Sequence, residues 1–156
     1  MTTIRRATAA DARVLDEMVR ELAAHEGSAE HVRVDEKGWR ASLKRDDVTV
    51  LIAEQRQNAV GFASMMRRFH LWSGAEHLAL DDLFVREGHR DQGIGTQLMS
   101  AVAELADEDD LLVLRGVRLD NYSGQRFYSR LGASLTTKMT ATWTREHYRL
   151  HLAATR

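Results

Sequence analysis

The chain has 156 residues, 44% apolar and 29% charged, with a formal charge of −1 and no cysteine. That balance fits a globular domain with a real core and excludes a disordered chain; the near-neutral charge offers no basic footprint for nucleic acid. The missing cysteine excludes disulfides, thiolate zinc sites and a cysteine nucleophile, and no apolar run approaches the roughly 20 residues of a membrane span.

The start carries Arg5 and Arg6 with no apolar segment behind them, so no secretory signal is expected; the absence of cysteine is compatible with the reducing, cytoplasmic setting expected here. Residues 4–7 read as a short first strand. Thr8-Ala9-Ala10-Asp11 has capping-box spacing, and Val14, Leu15, Met18, Val19 and Leu22 then recur at helical spacing, predicting a helix over 9–25. A shorter helix is expected over 36–43, with Trp39 and Leu43 on one face. Residues 49–54 are β-rich, Gln55-Arg56-Gln57-Asn58 makes a turn, and 60–67 pair back as a hairpin. Residues 78–85 read as the next strand, followed by a glycine loop and an apolar-periodic helix over 98–106. An acidic connector at 107–110 leads to a buried strand over 111–117, then to a helix over 123–131 ended by Gly132. Residues 135–153 read as two final strands with a turn near Thr144-Arg145-Glu146. With no repeat or low-complexity tract, a single domain over 1–156 is the simplest organisation. The element order predicts an α/β fold with a mixed sheet.

The glycine loop, Arg90-Asp91-Gln92-Gly93-Ile94-Gly95-Thr96, is the most informative stretch. Two glycines at a strand-to-helix junction allow a tight turn and leave amide hydrogens uncovered. The first helical turn adds unpaired N–H groups and the positive end of the macrodipole, which together suit a phosphate. The loop is neither a dinucleotide fingerprint, having Leu98 at the third glycine, nor a Walker A loop. A plain turn that needs glycine for steric reasons alone fits it too.

Four neighbouring features bear on that choice. Asp81 and Asp82 sit directly upstream on the same strand, where regular alternation points one of them at the ligand cleft. Asn121 follows the 111–117 strand, as a helix cap or as a partner for an amide-bearing ligand. Tyr128 is either core or a phenol able to protonate a departing thiolate. Glu26 ends the first helix, where a carboxylate opposes the dipole.

Taken together, Arg90-x-x-Gly93-x-Gly95, Asn121, and Phe127-Tyr128 with Leu131-Gly132-Ala133 resemble the GNAT superfamily of N-acetyltransferases. The resemblance spans nearly the whole chain. It is strongest to the spermidine/spermine (diamine) and thialysine N-acetyltransferase branch, through residues 4–11, 21–26 and 80–85. It implies a mixed, mostly antiparallel sheet of six to seven strands, flanked by about four helices and splayed at the central strands. It also implies acetyl-CoA as cosubstrate, no metal, and a homodimer. In this resemblance the amides of Phe84 and Val85 pair with the pantetheine arm, and Arg90, Asp91, Gln92, Gly93, Ile94, Gly95 and Thr96 wrap the pyrophosphate. Asn121 and Ser123 contact pantetheine, Tyr128 is the general acid, and Asp81 or Asp82 the base. Glu26, His70 and Trp72 face a small-molecule amine.

Two departures narrow the acceptor. Phe69-His70-Leu71-Trp72 keeps the cleft tryptophan but not the aspartate of polyamine-type relatives, and one residue is inserted before Asp81. A long polycation profits from several spaced carboxylates, so a shorter diamine, an amino acid with a side-chain amine or an amine-bearing antibiotic stays open. A protein lysine or N-terminus, or a non-catalytic acyl-CoA-sensing module, are the other readings. His147 and His151 lack a third ligand, and no metal role is expected for them.

Overall fold

The computed structural model describes residues 1–155. Strand β1 (Thr2–Arg6) enters a capping box at Thr8, whose hydroxyl accepts from the Ala10 amide while the Asp11 carboxylate accepts from the Thr8 amide at 2.7 Å. That closes a short 3-10 turn and launches helix α1 (Ala12–His25). Arg5 then ties strand to helix: its guanidinium donates to Asp11 at 2.9 and 2.7 Å and to Glu54 at 3.0 and 2.7 Å. Arg5, helped by the Thr8 amide, holds the Asp11 carboxyl down to about 2 from an ordinary 3.8. A depressed carboxyl contributes stability above its unfolded value and loses it as pH falls through the folded one. Asp11→Asn is therefore expected to cost on the order of 1 kcal/mol at pH 7, after allowing for solvent screening. The gap from the parent should close between about pH 4 and pH 2, as read by urea melts across that range.

Helix α2 (Glu36–Ser42) precedes a meander of β2 (Val48–Gln55), β3 (Asn58–His70) and β4 (Ala75–Val85). The turn from β2 to β3 holds Arg56 and Gln57 at φ of 49° and 67°, the left-handed pair that a two-residue hairpin needs to match strand twist. Helix α3 (Ile94–Glu108) then crosses over to β5 (Leu112–Arg115). The sheet order is β1-β2-β3-β4-β5, antiparallel throughout except for the β4–β5 pair, which the helical crossover makes parallel. This is the expected mixed α/β sheet, with five strands rather than six or seven.

Two bulges organise the faces. Between β2 and β3, Glu54 pairs with Ala59 and Ala53 with Gly61, leaving Val60 as the extra residue; its carbonyl accepts from the Arg86 amide at 2.8 Å. Between β3 and β4, Ser64 pairs with Asp82 and Met65 with Leu80, so Asp81 is extra. The registers put Val50, Ile52, Phe62 and Phe84 on one face, where they pack with Leu15 and Met18 of α1 and with Trp39 and Leu43. The opposite face carries buried Leu51, Ala53, Ala63, Met65, Leu78 and Leu80, and α3, which contacts the sheet, buries Ile94, Leu98, Val102 and Ala106.

Residues up to Gly116 form one compact unit, and a second begins at Val117. In the second unit, α4 (Tyr122–Arg130) is capped by Asn121, whose side-chain oxygen accepts from the Gly124 amide at 2.9 Å. It ends at Gly132, where φ is +88° and the Ala133 amide returns to the Tyr128 carbonyl at 3.1 Å.

Two sequence expectations fail here. Residues 135–153 do not form two strands; α5 (Arg145–Ala154) occupies the end, and the residues before it hold no regular element. Thr144 caps that helix by accepting from the His147 amide, and Trp143 stacks edgewise on Tyr148 and His151, with ring centroids 6.2 and 5.4 Å apart. The expected buried strand at 111–117 is only Leu112–Arg115, and on one face Leu112 and Leu114 are 69% and 51% exposed. Among the described residues, no helix is long and apolar enough to cross a membrane, and no three His, Asp or Glu side chains are grouped to hold a metal ion.

Candidate active site

Strand β4 pairs with β5 only from His77 to Leu80. Beyond Leu80, residues Asp81, Asp82, Leu83, Phe84 and Val85 keep β3 on one side and have no strand on the other. At that point β4 outruns β5. On such an edge the main-chain groups of alternate residues face away from β3 and are a template for an extended, amide-bearing ligand, which adds as another strand would. Gly61 is required opposite this segment: a Cβ there would lie 2.6 Å from the Phe84 carbonyl oxygen.

The glycine loop follows directly. Arg90 leaves a 3-10 turn and folds back, its Nε donating to the Val85 carbonyl at 3.0 Å. Asp91 and Gly93 both take positive φ, 60° and 75°. Gly93 is the N-cap of α3 and supplies no side-chain cap, so the first-turn amides of a 15-residue helix keep their donors for something else. Arg90, Asp91, Gln92, Gly93, Ile94, Gly95 and Thr96 are thus brought to the end of the strand that carries Phe84 and Val85.

The two aspartates do not alternate as on a regular strand, because the bulge intervenes. Asp82 shares the α1 face with Phe84 and accepts from the Ser64 hydroxyl at 2.7 Å. Asp81 is the bulged residue; Arg68 lies 4.0 Å away, and partial burial pushes its carboxyl above the usual range, against the pull of Arg68. A raised carboxyl stabilises the fold most below its unfolded value and loses that contribution as pH rises through the folded one. Asp81→Asn is expected to keep or raise the melting temperature at pH 7, as read by a thermal melt.

The three residues that the resemblance assigns to the acceptor are more scattered. Glu26 follows the last turn of α1 and is exposed. His70 and Trp72 lie at the tip of the β3–β4 hairpin, where the Ser73 amide donates to His70 Nδ1 at 3.3 Å and Trp72 is 95% exposed. His70 is six residues along β3 from Ser64, about 20 Å at strand rise, so these two residues are not brought to the carboxylates. In the second unit, Asn121 uses its oxygen on the α4 cap, Ser123 donates to that same oxygen at 3.2 Å, and Tyr128 is buried on α4, edge-on to Phe127.

Sequence reasoning missed two participants in the first unit. Ser64 is the lone hydroxyl in the apolar run Val60–Met66, and Arg115 the lone charge in 111–117. A single polar residue in an otherwise apolar run was the available signal. Arg115 donates to the Leu80 carbonyl at 3.3 Å, where β4 and β5 part, and its Nε is out of reach of solvent with no partner among the described residues.

Known proteins resemble this chain over most of its length. A family model described as Acetyltransferase (GNAT) family matches residues 14–133. Thialysine N-epsilon-acetyltransferase of Bos taurus is 30% identical over 146 residues, covering 86% of this chain and 85% of that protein. The Mus musculus protein of the same name is 30% identical over 148 residues, covering 88% and 86%. An aminoglycoside acetyltransferase from an uncultured soil metagenomic sample, solved in complex with sisomicin, superposes with a TM-score of 0.80 over 92% of this chain and 95% of that one. At 17% identity that likeness speaks for the fold alone. A family model that crosses both units, and relatives aligned over most of both lengths, lead to one conclusion: the chain is an acetyltransferase and belongs to the GNAT family.

Proposed function

We propose that the protein transfers an acetyl group from acetyl-CoA to a primary amine of a small molecule, of diamine or amino-acid type. The observation that carries the reading is the unpaired end of β4 joined by Arg90 to the uncapped N-terminus of α3. Phe84 and Val85 offer main-chain groups to the pantetheine arm, the loop from Arg90 to Thr96 offers amides to the pyrophosphate, and Asn121 and Ser123 contact the arm. The bound donor supplies an activated thioester carbonyl.

The chain's own groups handle protons and position. Asp81 or Asp82 takes the proton of the incoming ammonium, with Ser64 holding Asp82 in place. As the N–C bond forms and the C–S bond breaks, the Tyr128 hydroxyl delivers a proton to the departing sulfur, and the second proton of the attacking amine, released as the amide forms, restores the phenol. Glu26 attracts the cationic acceptor, and His70 and Trp72 meet the far end of an extended one. The names of the curated relatives favour a lysine-like side-chain amine. In this proposal the enzyme is a cytoplasmic homodimer.

The test is a panel of thialysine, lysine, spermidine, an aminoglycoside and a lysine peptide with acetyl-CoA, read by thiol release. Turnover on the first two or on spermidine supports the reading. Activity confined to the aminoglycoside or the peptide replaces the acceptor, and CoA binding without turnover on any amine favours a sensing module.

A further inference from the structure

We infer that Gln55, the last residue of β2, is a positioning residue that holds the donor-binding loop in shape. The inference rests on the reading of Arg90 to Thr96 as the pyrophosphate cradle. Gln55 lies outside that loop in sequence, yet its side-chain amide is fully committed beside it. Its Nε2 donates to the Thr2 hydroxyl at 2.9 Å and to Gln92 Oε1 at 3.4 Å. Its Oε1 lies 3.0 Å from His89 Nδ1, and because that oxygen only accepts, the His89 nitrogen is the donor. Gln92 in turn donates to the Gly88 carbonyl at 3.4 Å. One amide therefore links β1, the end of β2, the 3-10 turn carrying His89, and the loop itself.

The loop needs such a brace. Asp91 sits at a φ of 60° and Gly93 at 75°, and a non-glycine residue in the left-handed region persists only where its surroundings impose it. The first-turn amides of α3 bind a phosphate well only if they converge before the ligand arrives, since ordering them on binding would cost affinity. Residues His89 and Gln92 flank Arg90 and Asp91, so fixing both fixes the segment between them. Gln55 supplies that constraint from the end of an internal strand rather than from the ligand.

A consequence separates this role from a general structural one. Gln55 should matter for donors that carry the pyrophosphate and not for those that lack it. The experiment compares Gln55→Ala and Gln55→Glu with the parent. CoA affinity is read by calorimetry, and kcat/KM is measured with acetyl-CoA and with S-acetylpantetheine, which has the arm without the nucleotide. For Gln55→Ala, a CoA Kd raised by about tenfold is expected from the loss of its hydrogen bonds. The KM for acetyl-CoA should rise in step, with kcat and the S-acetylpantetheine kcat/KM within about twofold of the parent. Gln55→Glu keeps the acceptor for His89 and loses both donations, so it should fall between; it decides the matter if the alanine variant does not fold. CoA affinity within twofold of the parent in the folded variants overturns the inference, as does an equal loss with both donors. A parent that binds S-acetylpantetheine but gains nothing from the nucleotide overturns instead the cradle reading beneath it.

Discussion

Gly93→Val is expected to raise the Kd for CoA by about tenfold or more while the sheet stays folded. Gly93 caps α3 at a φ of 75°, and no heavy atom lies within 4 Å of the position its Cβ would take. The penalty is therefore conformational rather than steric crowding. A left-handed L-residue costs roughly 1–2 kcal/mol, and a β-branched one is a poor fit there. The chain can relieve that cost by rotating the junction, and the rotation turns the first-turn amides of α3 away from their shared focus. Gly93→Ala should show the same direction with a smaller loss. Calorimetric titration with CoA is the measurement, beside circular dichroism for helix content. An unchanged Kd with intact helicity would remove the loop from the donor site.

Tyr128→Phe is expected to lower kcat by about 100-fold, with CoA affinity retained within twofold. Tyr128 is buried on α4, so the substitution keeps the ring in place and deletes only the hydroxyl. If the phenol protonates the departing sulfur, an acetyl donor with a more acidic thiol needs that proton less. The deficit should then shrink with such a donor, an outcome that loss of packing alone would not produce. Full turnover with acetyl-CoA and the true acceptor would exclude Tyr128 as the acid.

The sequence made the first unit legible because its signals are local and strong. Thr8 and Asp11 announce a capping box, and Leu15 and Met18 keep helical spacing on a face that is buried. Gln55 and Asn58 bracket a two-residue turn, and Gly93 stands at a junction that takes positive φ before a helix. The C-terminal segment misled for an equally local reason. Tyr148, Leu150 and Leu152 alternate with His147, Arg149 and His151, the period of a strand. The Thr144 cap and a run of good helix formers nonetheless make α5. Ser64 and Gln55 stayed hidden because their roles depend on register. Ser64 meets Asp82 only through the pairing of β3 with β4, and Gln55 meets His89 across 34 residues. No short window contains either pair.

The extra residue at Asp81 has a bearing on how this protein tolerates change. Leu78 and Leu80 share the α3 face, whereas Asp82 and Phe84 share the α1 face, although even-numbered positions of an unbroken strand would all point one way. The bulge thus works like a half-twist in a ribbon, letting one strand serve two cores. Replacing Asp81 leaves that half-twist in place; deleting it turns the buried residues of one half toward the wrong helices. A mutational library that varies the identity of residue 81 should yield folded proteins, and one that removes it should yield almost none. For the same reason, grafting a new catalytic group at this point is a matter of substitution, with the length of the strand conserved.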